Sequence, residues 1–444
     1  MASIQKNLFT WQDLDEIGDL RRLHLVLETL DDELLMSKLE KDRGKGRDDY
    51  PVRAVWNSLL AAVVYQHQSI ESLRRELLRN GDLLKLCGFE TIKGKKAVPT
   101  SSAYTRFLKK VIRHQKELDR IFDNLVKALT EELPGFGERL GTDGKAIDSH
   151  ARRKSKKKKR DGRRDIDADK GVKTYKGKRK DGSIWKRFKD WFGYKIHIIA
   201  DVNYELPVSF KVTRASASDM KQLKPMIGEL YDRQPSIVEA CKSLVADRGY
   251  DSKRNNKFLW DDYQAKPIIG IKGGWRDFDE KLADSEYADN VLYDYHGNVF
   301  CYDMNTMKKR NLIYCGFEKK RGTLKYRCPL AAKGKKCKAE DKCGKGSYGK
   351  YGRIVRIPIE KDRRIFTPLA RSSKTFKKEY KKRTALERIN SRLDVSFGFE
   401  NHYIKGMKKM RLRCSVAMIV MLAMALGRVR EKKFDSMRSL VKAA

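Results

Sequence analysis

Glu138–Ser149 reads ERLGTDGKAIDS, Gly193–Val202 reads GYKIHIIADV and Pro207–Ser216 reads PVSFKVTRAS. Each is a short apolar run with a period of two, the pattern of consecutive strands whose alternate side chains face a core. A helix is expected in QLKPMIGELYDR (222–233), then a strand in KSLVADRGYDS (242–252) that ends in an acid and turn residues. Another helix (252–264) and another strand, KPIIGIK (266–272), complete the series. Strands followed by alternating helices and strands imply a mixed sheet with helices packed on it, an α+β or α/β fold.

Upstream, residues from about 12 to 140 read as helices. Apolar positions recur every three or four residues in LRRLHLVLETLDDELLMSKL (20–39), VRAVWNSLLAAVVYQ (52–66) and AYTRFLKKVIRHQKELDRIFDNLVKALTEEL (103–133). Pro51 is expected in the first turn of its helix, Ser69 as a cap, and Thr100 or Ser101 as another. Downstream, KKEYKKRTALERINSRLDVSFG (377–398) returns to helical periodicity, and the apolar Cys414–Gly427 follows. About 14 residues is short of the roughly 20 needed to span a bilayer, so a buried core helix is expected there.

The 444 residues include 99 Lys and Arg against 59 Asp and Glu, a formal charge of +40. Such an excess seeks polyanions and makes a small-molecule enzyme an unsuitable reading. With 40% apolar residues in periodic blocks the chain is not disordered. The first 20 residues carry no export signal, so a cytoplasmic, nucleoid-associated protein that handles nucleic acid is expected.

Asp143 sits inside the first strand and Asp247 at the end of the fourth. Two carboxylates on adjacent core strands repel unless a cation joins them, although each alone also suits a turn cap. At about 100° per residue, Tyr380, Arg383, Glu387 and Asp394 fall on one helical stripe about 60° wide. An Arg383–Glu387 pair on a solvated face is the plainer account of that stripe. Hard oxygen ligands suit Mg2+ or Mn2+, and two such ions can stabilise both the attacking and the leaving oxygen of a phosphodiester. His150, His197 and His402 show no metal-ligand spacing.

The order of these features resembles the DDE transposases of bacterial insertion sequences. It runs from a helical domain through a strand Asp in xDG, GYKIHIIAD and ADRGYDS to a helix reading Y-x2-R-x3-E. The resemblance implies an RNase H-like core in which Asp143, Asp247 and Glu387 are catalytic and bind two Mg2+ or Mn2+ ions, with Asp148 a weaker competitor for the first place. It implies that Tyr380 and Arg383 match the Tyr and Arg of a YREK signature and contact DNA. The signature lysine is Asp394 here, leaving its DNA contact to Arg392 or Lys405. Expected domains are 1–135 (helical, DNA-binding and dimerising), 136–272 (core, first part), 273–375 (insertion) and 376–444 (core, C-terminal helices). The expected partners are terminal inverted repeats and target DNA, bound by a homodimer. A metal nuclease without strand transfer, or a non-catalytic DNA-binding descendant, is the alternative.

Two segments interrupt the core. RRKSKKKKRDGRR (152–164) holds ten basic residues in thirteen, and Lys156, Lys157, Lys158, Lys159 and Arg160 are its candidate phosphate contacts. The insertion holds Cys301, Cys315, Cys328, Cys337 and Cys343 without a CxxC pair. In a reducing compartment such a cluster suggests a structural zinc on Cys328, Cys337 and Cys343 with Cys315 or Cys301, free thiols being the alternative. The resemblance makes Trp275 a candidate for stacking on a flipped base, although packing its own small domain is the plainer account.

Overall fold

A computed structural model describes residues 18–44, 49–151, 165–179, 181–272, 280–283, 290–339, 343 and 352–438. Lys156, Lys157, Lys158, Lys159, Arg160 and Trp275 lie outside them. Among the described residues seven α-helices come first: α1 (Asp19–Thr29), α2 (Glu33–Arg43), α3 (Val52–Val64), α4 (Ile70–Arg79), α5 (Gly81–Cys87), α6 (Ser101–Arg113) and α7 (Gln115–Glu132). Ser69 caps α4 by accepting the Ser72 amide at 3.1 Å, and Thr100 caps α6 by accepting that of Ala103 at 3.2 Å. Pro51 stands one residue earlier than expected, at the cap position before Val52.

Two runs that read as single helices are each broken in two. Leu30 is extended, and Asp32 is buried where it accepts the Trp56 indole N–H at 2.6 Å and pairs with Arg53. That tertiary anchor stops α1 and restarts the chain as α2. The second break falls at His114, whose ring bonds Asp42 at 2.9 Å.

The main sheet is built from β1 (Arg139–Asp148), β2 (Asp169–Lys178), β3 (Ile184–Asp201), β4 (Leu206–Arg214), β5 (Ser243–Ala246) and β6 (Lys266–Ile269), with α8 (Asp219–Arg233), α9 (Pro235–Ala240) and α10 (Lys253–Asp261) between strands. Strand β3 pairs antiparallel with β1 and β4, and β1, β5 and β6 run parallel. The mixed sheet is therefore as expected, but β2 and the first half of β3 were not. Their strands alternate lysine with apolar residues (IWKRFKD) and are exposed, so no core face shows in the sequence.

The segment from 281 to 358 holds two small sheets rather than isolated strand pieces. One is β7 (Lys281–Leu282), β8 (Val291–Tyr293), β9 (Val299–Tyr302) and β10 (Lys309–Asn311); the other is β11 (Ile313–Glu318), β12 (Thr323–Arg327) and β13 (Ile354–Pro358). They share an apolar cluster of their own around Val291, Leu324, Ile357 and Phe366.

The chain then forms α11 (Lys374–Lys381), α12 (Thr384–Phe397) and α13 (Met407–Arg430). The expected continuous helix 377–398 is jointed at Lys382–Arg383, where Arg383 N bonds Tyr380 O and Leu386 N bonds Arg383 O, three residues apart instead of four. Helix α13 is longer than its apolar middle and long enough to cross a membrane, yet Cys414–Gly427 is buried throughout. It packs on α1, α3, α7 and β4, so the N-terminal helices and the sheet share one hydrophobic core.

Leu386 of α12 presses on Gly141 of β1. A Cβ at position 141 would lie 2.5 Å from Leu386 Cδ2 and 2.7 Å from Val202 Cγ1. Gly141→Ala is therefore expected to destabilise the protein by about 1–3 kcal/mol through overpacking. A lowered thermal unfolding midpoint, partly restored by Leu386→Ala, checks it.

Candidate active site

In the parallel pair of β1 and β5, Thr142 stands level with Ala246. Asp143 and Asp247 are the next residues on each, so the two acids marked in the sequence emerge side by side. Burial pushes the Asp143 carboxyl up to about 6; nearby Lys173 opposes that rise, and the charges of Asp247 and Asp219 add to it. Asp143 Oδ2 accepts from Asn390 Nδ2 at 3.2 Å. Asp247 Oδ1 accepts the Gly249 amide at 2.7 Å, so it also caps the turn Arg248–Tyr250.

Helix α12 lies along β1 because Ala385, Leu386, Ile389 and Leu393 are buried on one side. Its stripe of Arg383, Glu387, Asn390 and Asp394 runs past Asp143 and Lys145. Glu387 is half exposed and pairs with Arg383 at 2.8 Å, the intrahelical pair expected of this spacing. Arg383 in turn lies within electrostatic reach of Asp143. Asp394 accepts Lys145 Nζ at 2.6 Å, and Glu400 lies 3.1 Å from the same amine. The cation of this corner stands on the strand instead of the helix.

Other sequence candidates sit elsewhere. Tyr380, on α11 beyond the joint, stacks on Phe376 with centroids 6.2 Å apart and lines a cavity of about 250 Å³ with Arg248, His296 and Arg371. Arg392 lies off the stripe, is largely buried, and bonds the Glu205 carbonyl and carboxylate. Cys315 is exposed, bonding only its own strand at Ile313, whereas Cys301, Cys328, Cys337 and Cys343 lie within electrostatic reach of one another. Among the described residues, no three His, Cys, Asp or Glu side chains are close enough to hold a metal ion.

Asp219 was not singled out in the sequence. It opens α8 after Ser218, where an acid reads as an ordinary first-turn residue. Here its Oδ1 accepts Lys195 Nζ at 3.0 Å and lies 3.5 Å from Nδ1 of the wholly buried His197. Burial pushes that histidine down to about 4, so it is neutral at pH 7. Lys173 was missed as well, because its strand was. Its Nζ donates to the Gly144 carbonyl at 3.3 Å, next to Asp143.

Residues 141–423, well over half of the chain, match the family model described as a transposase DDE domain. No curated protein gives a match.

The raised Asp143 pKa has a thermodynamic sign. Its folded value of about 6 exceeds the roughly 3.9 of an unfolded chain, so the proton stabilises the fold below pH 4 and that stability is lost as pH rises through 6. In EDTA at pH 7.5, Asp143→Asn should therefore raise stability by roughly 1–2 kcal/mol, with the gain vanishing toward pH 4. Thermal melts of both proteins across that range check it.

Proposed function

Because the chain belongs to the transposase DDE domain family, we propose that it is an insertion-sequence transposase with an RNase H-like core. On this reading it binds the terminal inverted repeats of its element, cuts at their ends and joins them to target DNA. The observation that carries the reading is the meeting of acids from remote parts of the chain, Asp143 on β1 and Asp247 at the end of β5, beside the α12 stripe that holds Glu387. The strand order β4-β3-β1-β5-β6, with β3 antiparallel to both its neighbours and the last three strands parallel, supports the core assignment.

The donor set fits hard divalent cations. Burial and two neighbouring carboxylates make the ionised form of Asp143 unfavourable, a cost that a cation relieves. Two Mg2+ or Mn2+ ions on Asp143, Asp247 and Glu387 would supply stabilisation of the attacking and leaving oxygens. The chain's own residues do the positioning. Asn390 holds one oxygen of Asp143, Arg383 offers a planar fork for a phosphate once released from Glu387, and Tyr380 lies beyond the joint where a flanking nucleotide passes. Synapsis of two ends calls for two such sites, hence a homodimer on DNA. In the cysteine cluster, Cys301, Cys328, Cys337 and Cys343 would hold a structural zinc, Cys301 rather than Cys315 being the one within electrostatic reach of the other three.

Labelled DNA carrying the ends that flank the gene tests the function. Mg2+-dependent cleavage at the end is expected from the wild type, none in EDTA, and at least about a thousandfold less from Asp247→Ala with DNA binding retained. Undiminished cleavage by Asp247→Ala would place the chemistry elsewhere. Elemental analysis of protein purified under reducing conditions should find about one zinc per chain. It should be lost in Cys328→Ser and kept in Cys315→Ser.

A further inference from the structure

Strand β3 belongs to two structures. From Gly193 to Asp201 it pairs with β1 and β4 in the core, and from Ile184 to Phe192 it pairs with β2 alone, as a two-stranded ribbon. The register sets Lys173 opposite Lys189, four residues before Gly193, and Gly144 opposite His197, four residues after it. Along a straight strand those two levels are about 26 Å apart. Lys173 nevertheless donates to the Gly144 carbonyl at 3.3 Å, which a lysine side chain cannot do across such a gap. The ribbon is therefore folded back over the sheet beside Asp143.

The fold-back is built in at Gly193. A Cβ there would lie 2.2 Å from the Ile147 carbonyl oxygen and 2.5 Å from the Ser149 amide. Across the bend, the Trp191 indole donates to the Tyr194 carbonyl at 3.0 Å, and Lys195 Nζ lies 5.8 Å from the Trp191 ring.

One face of the ribbon carries the direct pairs Gly171–Trp191, Lys173–Lys189, Tyr175–Arg187 and Gly177–Trp185. Both indoles lie across glycines: a Cβ at Gly171 or Gly177 would fall 2.3 or 2.4 Å from the ring opposite. Between these two braces lie Lys173, Lys189 and Arg187, the latter two exposed. Like charges directly across a strand pair are unfavourable in an isolated sheet. Lys170 has Asp190 at 2.8 Å. Among the described residues, no ion pair joins Lys173, Lys186, Arg187 or Lys189 to a carboxylate. This row of cations, of which Lys173 and Lys189 have Asp143 and Asp148 in electrostatic reach without a close ion pair, is rooted beside Asp143 and has the charge complement of a phosphodiester chain.

We infer that the folded β2–β3 ribbon is a clamp on the DNA backbone, its Lys173–Lys189–Arg187 face holding the strand whose phosphate reaches Asp143 and Asp247. This rests on the DNA-cleavage reading above. The contacts are to phosphates, so they add strength without sequence preference.

The test measures binding of the full-length protein, without divalent ions, to a labelled duplex of unrelated sequence from 0.05 to 0.3 M salt. Arg187→Gln/Lys189→Gln should weaken binding roughly tenfold to sixtyfold at 0.1 M salt and make the slope of log K against log salt shallower by about 1 to 2. The charge-keeping pair Arg187→Lys/Lys189→Arg should restore both. Lys186→Gln, on the opposite face, should change the affinity less than twofold. If the wild type binds with a steep slope and the double variant matches it, the clamp is wrong and the transposase reading stands. Wild-type binding that ignores salt overturns both. Loss of self-association in DNA-free protein, with DNA affinity unchanged, assigns the ribbon to a second copy of the chain and overturns the clamp.

Discussion

The contact on which this molecule turns is that of Leu386 against the bare Cα of Gly141. It fixes how closely α12 approaches β1, and every polar meeting along that seam depends on the spacing. With a side chain at 141 the helix would ride outward, and Asn390 would lose Asp143 and Asp394 would lose Lys145. Interiors are packed densely enough that such a shift is not absorbed locally. A glycine buried in a strand interior, usually a weakness, here sets the geometry of the carboxylates.

Around that seam, electrostatics are arranged in opposition. Asp143, Asp247 and Asp219 crowd together; Lys195 pairs with Asp219, while Lys173 is engaged by a carbonyl and Lys145 by Asp394. Negative charge is thus concentrated and only partly neutralised, a condition suited to divalent cations and costly without them. The chain as a whole has the opposite sign, with a net charge of +40. That net charge favours a polyanion, and on the proposed reading the scissile phosphate of DNA would meet an acidic centre.

How much of this was legible depends on whether the signal was local. Strands β1 and β4 and the helical N-terminal third carry their period in the sequence, while β5, β6 and α13 show as continuous apolar runs. Caps at Ser69 and Thr100 were readable because the backbone amide three residues on completes each. The break at Asp32 was not, since its cause is Trp56, more than twenty residues later. Strand β2 escaped because neither of its faces is buried in the core, which is the only thing a period-two pattern reports. Among site residues, Asp143 and Asp247 were visible from strand context, and Arg383 with Glu387 from helical spacing. Asp219 looked like any first-turn acid, and Arg392 looked like a free cation although Glu205 claims it.

Helix α13 also constrains the order in which the molecule forms. It is the apolar partner of α1, α3 and α7, yet it lies near the end of the chain, from Met407 to Arg430. During synthesis the first helices emerge with their apolar faces bare, and remain so until some 280 further residues have been made. Secondary structure can form early, but closure of the shared core waits for the last helix to leave the ribosome. A chain ending before Met407 would therefore leave the apolar faces of α1, α3 and α7 without this partner.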